Sequence, residues 1–331
     1  MPRPYKLVPA PLDTQWDAFV AASPQGSLFA GTDFLAALNG WPQAFYCRKN
    51  DEIKAAVLLF TAGDGSLCSV PHDLVIYHGV LHAPPAAEKN PARIHSEQFA
   101  VMEFIAAALM ERFETLHLAL HPAIEDIRPF LWVNYHNGGP RYQVHIRYTS
   151  YLDIREFTSS AGYEQMQTFR NMATLRRREL RRARREGVAT REARLTDELL
   201  RYHRATLERQ QIQVPDAELA EIRRIIDGLL EKGQGRMFAA CDVHDRIGSI
   251  VFFGQDRKRA YYLFGAGNPE NRNAHTGTAV FWDAFEHLAA DDVTEVDFEG
   301  VNSPRRGAFK LGFGGDLRTY YWLEKGCQPI P

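Results

Sequence analysis

The sequence predicts an α+β protein made of two copies of one unit, each a mixed or antiparallel sheet flanked by helices. Three observations carry this. The chain has 331 residues, beyond a typical domain of about 100–150 residues, so two domains with separate cores are expected. Apolar residues make up 45% of it and aromatics 11%, the composition of a folded protein rather than a disordered one. And AFYCRKNDEIKAAVLLF (44–60) recurs as MFAACDVHDRIGSIVFFG (237–254), matching Cys47 with Cys241, the polar turn Asn50 and Asp51 with His244 and Asp245, and Ile53 with Ile247. The expected domains are 1–150 and 151–331.

The elements follow from their patterns in order. Apolar runs around a polar turn make each repeat a β-hairpin. After the first come the strand-rich IYHGVLHA, the helical IHSEQFAVMEFIAAALMERF and the strand LHLAL. After the second come the strand RAYYLFGAG, the helical HTGTAVFWDAFEHLAA and the strand TEVDFEGV. In that second helix Val280, Phe281, Ala284, Phe285 and Leu288 recur at helical spacing and give one buried face. A meander, a helix and a strand, occurring twice, read as a duplicated α+β unit.

Between the copies, TLRRRELRRARREGV (174–188) holds seven arginines in fifteen positions, although the formal net charge of the chain is only −2. No proline or glycine interrupts residues 163–186, and Gly187 stands where a C-cap belongs, so a helix over 163–187 is predicted. Leu175, Leu180 and Ala183 form its thin apolar stripe, while Arg178, Arg181, Arg182 and Arg185, three and four apart, share a face. Like charges so spaced repel by about 0.2–0.5 kcal/mol per pair. Either the face is simply solvated and balanced by acids such as Glu179 and Glu186, or it binds phosphate oxygens, which the guanidinium fork grips bidentately.

The C-terminal EVDFEGVNSPRRGAFKLGFGGDLRTYYWLEK reads as a strand, a turn rich in basic residues and a final strand. Lys310 lies between Phe309 and Leu311, just before Gly312, Phe313, Gly314 and Gly315. There its ammonium either serves as a fixed positive charge close to backbone and ligand oxygens or stays in water with its stem on Phe313.

The run YYLFGAGNPENR, the helix from Thr276, VDFEGV, FKLGFGG ending in YYW, and the arginine helix closing in Gly187 and Val188 resemble FemAB-like transferases of the GNAT superfamily. These carry two GNAT-type domains in one chain. The resemblance covers most of the sequence, strongly in its second half and more weakly through WDAFVAASPQGSLFAGTDFLAAL and IYHGVL. It implies transfer of an aminoacyl or acyl group from an activated donor, aminoacyl-tRNA favoured, to an amino group of a cell-envelope or natural-product acceptor. The alternative it leaves is acyl-CoA-dependent acylation of an amino sugar or small amine.

The resemblance also implies roles. Lys310 would lie by the reacting groups, with Tyr261, Tyr262, Asn302 and Phe309 lining the site and Arg209 contributing from LERQQI. The arginine helix would hold phosphates of tRNA or of a nucleotide-linked or lipid-linked acceptor. Attack of an amine on an ester or thioester builds an oxyanion, which a fixed cation stabilises. Peptidoglycan-directed members carry Asp-Pro after the first domain's helix; here His121 precedes Pro122, so His121 or Asp126 is the candidate base. Acyl-CoA enzymes of the superfamily cradle pyrophosphate on a Q/R-x-x-G-x-G/A loop entering a helix. Gly277 and Ala279 keep that spacing, but Ala274 replaces its first residue and Arg272 lies two positions earlier. Arg272, Gly277 and Thr278 are therefore candidate cofactor contacts.

Other classes fit less well. No apolar run reaches the roughly 18 residues of a membrane span and MPRPYKLVPAPL lacks a signal-peptide core, so a cytoplasmic location is expected. Cys47, Cys68, Cys241 and Cys327 are too scattered for a disulfide framework, and His72, His78 and His82 form no recognised metal site, so no metal is expected. A G-x-S-x-G elbow and a Walker loop are absent. A non-enzymatic nucleic-acid-binding protein remains, resting on the arginine helix; the near-neutral charge opposes it, since such binders are usually basic throughout.

Overall fold

The computed structural model describes residues 5–85, 90–159, 162–271 and 274–326. It divides into two compact units, Met1–Arg147 with Thr319–Pro331, and Tyr148–Arg318.

In chain order the first unit contains β1 (Tyr5–Pro9), α1 (Thr14–Ala22), α2 (Thr32–Ala37), β2 (Trp41–Lys49), β3 (Glu52–Thr61), β4 (Gly79–His82), α3 (Pro91–Arg112), β5 (Leu116–Ala119), α4 (Arg128–Leu131) and the start of β6 (Gln143–Asp153). Strands β1 to β4 form an antiparallel meander in sequence order. Helix α3 starts where Asn90 accepts the Arg93 N–H at 2.9 Å and Pro91 supplies a ready-made first turn. Its Val101, Met102, Ile105, Ala106 and Leu109 are buried at helical spacing against Phe45, Val57 and Leu118.

The second unit continues β6 and adds α5 (Gln167–Asn171), α6 (Thr174–Arg185), β7 (Ala189–Glu192), α7 (Thr196–Glu208), α8 (Asp216–Glu231), β8 (Gly235–Cys241), β9 (Ile247–Gln255), β10 (Arg259–Gly267), α9 (Ala274–Ala290), β11 (Glu295–Asp297), α10 (Pro304–Leu311) and the first residues of β12 (Asp316–Lys325). Its strand order is β6-β11-β10-β9-β8-β7, antiparallel except for the parallel pair β10 and β11. Val280, Phe281, Ala284, Phe285 and Leu288 of α9 are all at most 3% exposed. Phe281 and Phe285 join Phe298, Phe309 and Phe313 in one aromatic cluster.

The repeat is therefore structural: four antiparallel strands, a long helix and a strand occur as β1-β2-β3-β4-α3-β5 and again as β7-β8-β9-β10-α9-β11. Even the irregularity repeats, since the ladder of each hairpin slips at its matched cysteine, Cys47 in β2 and Cys241 in β8. Cys47, Cys68 and Cys241 are free thiols; Cys327 lies outside the described residues.

Four expectations are corrected. The predicted helix over 163–187 is broken: a 3-10 turn (Tyr163–Gln165) and α5 precede α6, because Met166 and Met172 are extended (ψ 137° and 147°). Its end is as read, with Gly187 at φ 68° and the Val188 N–H bonded to the Ala183 carbonyl at 3.0 Å. Leu175 is 56% exposed rather than part of the apolar stripe, being five residues, about 140° of helix rotation, from Leu180; Glu179 takes the buried place beside Leu180. The basic turn is the helix α10, opened by Pro304. Finally, residues 319–326 group with the first unit, where Leu116–Ala119 pair antiparallel with Trp322–Lys325.

Candidate functional site

The second unit gathers charge at the end of β11. β11 ends at Asp297; beyond it Phe298 packs into the aromatic core and Glu299 lies beside Asp297. Asp297 is fully buried and accepts the Glu299 N–H at 2.7 Å and the Thr149 hydroxyl at 2.6 Å. Thr149 Oγ1 also lies 2.9 Å from the Glu299 carbonyl. These bonds hold Glu299 in the left-handed region at φ 58°, a conformation that costs a non-glycine residue about 1 kcal/mol or more. Glu299 is itself buried, and its Oε1 has no hydrogen-bond partner among the described residues.

Lys310 completes the cluster from α10. Its Nζ donates to the Gly300 carbonyl at 3.2 Å and lies 5.2 Å from the centre of the Tyr262 ring. Burial lowers the pKa of Lys310 and raises that of Glu299, and each opposes the shift of the other through their opposite charges. Close packing places α10: a side chain at Gly307 would put its Cβ 2.2 Å from the Val301 carbonyl oxygen, and one at Gly314, where φ is 84°, would meet the Asn171 carbonyl at 2.8 Å.

The basic helix reaches this cluster. Arg176 stacks on the ring of Phe309 at 4.6 Å, pairs with Glu179 at 2.6 Å and donates to Thr278 Oγ1 at 3.0 Å. Thr278 in turn donates to Glu179 at 2.5 Å. Further along α6, Arg178, Arg181, Arg182, Arg184 and Arg185, with Leu175, Tyr163 and His275, line an open groove of about 960 Å³. Arg181 pairs with Glu164, Arg182 with Glu186 and Arg184 with Asp283. Arg178 and Arg185 are exposed and make no ion pair among the described residues.

Of the residues singled out in the sequence, the fold brings Lys310, Tyr262 and Phe309 together. Tyr261, next along the strand, faces the other way and donates to Asp256 at 2.7 Å. Asn302 bridges the backbone of Tyr148, accepting its N–H at 2.8 Å and donating to its carbonyl at 3.1 Å. Arg209 is exposed at the end of α7. Gly277 sits in the first turn of α9, and Arg272 lies outside the described residues.

His121 and Asp126 lie in the first unit. His121 is buried, accepts the Ala123 N–H at 3.1 Å and packs on Tyr77. Asp126 is gripped by Arg128 at 2.6 and 2.8 Å, which holds its carboxyl below the usual carboxylate range. Sequence reasoning misses Glu299, Asp297, Thr149 and Arg184. Two carboxylates two apart in VDFEG, at the end of a strand, are the signal that marks the first pair. No cluster able to hold a metal occurs among the described residues, and no helix there is long and apolar enough to cross a membrane.

Residues 169–310, which include the arginine helix, Glu299 and Lys310, match the family model of the acetyltransferase (GNAT) domain. No curated protein sequence matches the chain. Among solved structures, FemX is similar over 96% of both chains, with a TM-score of 0.61 and 13% identity. A tandem GNAT protein from the clavulanic acid biosynthesis pathway is similar over 98% of this chain and 100% of its own, with a TM-score of 0.51 and 11% identity. The C-terminal domain of a putative lysylphosphatidylglycerol synthetase from Agrobacterium fabrum is similar over 95% and 92%, with a TM-score of 0.54 and 12% identity. Residues 169–310 thus match a GNAT acetyltransferase domain, and the chain as a whole has the fold of FemX and of a tandem GNAT protein, two GNAT-like units in one chain.

Proposed function

We propose that this acyltransferase moves an aminoacyl group from aminoacyl-tRNA to the amino group of a cell-envelope or natural-product acceptor, and that Lys310 stabilises the oxyanion of the tetrahedral intermediate. The observation that carries the reaction type is the partly buried ammonium of Lys310, fixed by the Gly300 carbonyl and the Tyr262 ring within the GNAT-matched segment. A cation held in place before reaction spends nothing on reorganisation as negative charge develops.

The arginine groove supports the choice of donor. It is open and elongated in charge, with exposed Arg178 and Arg185 unengaged, which suits a run of backbone phosphates better than a single pyrophosphate. Acyl-CoA-dependent acylation of an amino sugar or small amine is the second reading, favoured by the retained Gly277 and Ala279.

The test offers purified protein labelled acetyl-CoA and, separately, a pool of charged tRNAs, each with an amine extract. Consumption of a charged tRNA with label appearing in an amide supports the proposal. Consumption of acetyl-CoA alone selects the second reading, and consumption of neither refutes both.

A further inference from the structure

Resting on the acyl-transfer reading above, we infer that Glu299 is the base that takes the proton from the attacking ammonium. It is 9% exposed, and its Oε1 has no hydrogen-bond partner among the described residues. Buried carboxylate oxygens are rarely left so unless a ligand or water completes them. The residue is held at φ 58° by Asp297 and Thr149, so its position is imposed by its neighbours against a local cost.

The groups acting on it are Asp297 from β11, Lys310 from α10 and Tyr262 from β10, and Arg306 of α10 acts in turn on Lys310 and Tyr262. Burial and the Asp297 charge push the Glu299 pKa up to about 8 against the pull of Lys310. A carboxylate in that balance is far more basic than an exposed one, which a general base working near neutral pH requires. The other candidate bases are engaged: His121 Nδ1 accepts the Ala123 N–H, and Asp126 is paired with Arg128.

The acceptor arrives as R–NH3+, and the Glu299 carboxylate takes one proton to become a carboxylic acid. The freed nitrogen lone pair forms the N–C bond, and the carbonyl π pair moves onto oxygen beside the Lys310 ammonium. Collapse restores the C=O bond and breaks the C–O bond of an ester, or the C–S bond of a thioester. The leaving oxygen or sulfur takes the second proton lost by nitrogen, and Glu299 returns the first to solvent.

The full chain, with whichever donor it consumes, is assayed as wild type and E299Q against two nucleophiles: an alkylamine, protonated at pH 7, and hydroxylamine, already neutral there. E299Q should lose about 10²–10⁴-fold in kcat with the alkylamine, recover as pH rises toward the pKa of the amine, and stay within about tenfold of wild type with hydroxylamine, a difference a purely structural role would not produce. The wild-type profile should rise through an apparent pKa near 8, belonging to the Glu299 and Lys310 pair. If E299Q does not fold, as judged by its melting curve, the wild-type profile and E299D, which keeps the carboxylate and should keep the rising limb, carry the test. Wild-type turnover in E299Q, or an equal loss on both nucleophiles without recovery at high pH, overturns the inference and returns the role to His121 or Asp126. A wild type that transfers from no donor defeats the acyl-transfer reading instead.

Discussion

The two units share a strand-helix-strand plan but bury different sets of polar groups. At the end of β11 the second unit gathers charges: the buried Asp297 and Glu299, with the half-buried Lys310 beside them. At the end of β5 and beside it, the first unit keeps imidazoles around the buried carboxylate of Glu324. His117 Nδ1 lies 3.2 Å from His78 Nε2, and both are buried. Burial lowers the pKa of His78 well below the usual value and brings those of His82 and His117 down to about 4, so all three are neutral at pH 7. A buried neutral ring costs little and stabilises through hydrogen bonds, whereas a buried charge is expensive and is worth keeping where charge develops during a reaction. Among the described residues the first unit buries one carboxylate, Glu324, beside His117 and His145, whereas the second gathers two carboxylates and a lysine at one strand end.

Lys310→Ala tests this contrast most severely: it should lower kcat by about 10²–10³-fold while leaving the melting temperature of the protein nearly unchanged. Full activity would remove Lys310 from the mechanism. Gly307→Ala asks whether the charged cluster depends on the seating of α10. Its Cβ would overlap the Val301 carbonyl, so a loss of about 1–3 kcal/mol in urea unfolding is expected, and an unchanged midpoint would show that α10 shifts freely.

Acid probes the imidazole side of the contrast. A histidine whose folded pKa is depressed binds fewer protons folded than unfolded between the two values, so stability rises with pH there and is lost as pH falls. For His82 and His117 that window runs from 6.5 down to about 4, at up to about 1.4 kcal/mol per pH unit for each. Unfolding midpoints at pH 7 and pH 5 should therefore differ, and His117→Gln should flatten the slope; an unchanged slope would mean that His117 is protonated in the fold.

The smallest expected effect is at the groove. Charge reversal of Arg178 and Arg182 should weaken binding of the phosphate-bearing substrate about tenfold and lower the salt-dependence slope by roughly one for each phosphate the groove no longer holds. Binding unaffected at low salt would make the basic face a solvated surface only.

Periodicity sufficed for the duplicated hairpins, for α9 and for the end of α6, because strand alternation, helical spacing and a left-handed glycine are local properties that neighbours in sequence dictate. A basic helix and a lysine among aromatics were legible for the same reason. Three things were not local. Residues 319–326 group with the first unit, since strand pairing is decided by register with Leu116–Ala119, some two hundred residues earlier. Tyr261 and Tyr262 separate because adjacent strand residues face opposite sides, and only the packed helices say which side holds the lysine. Glu299 acquires its basicity from burial and from Asp297 and Lys310, which the fold alone brings beside it.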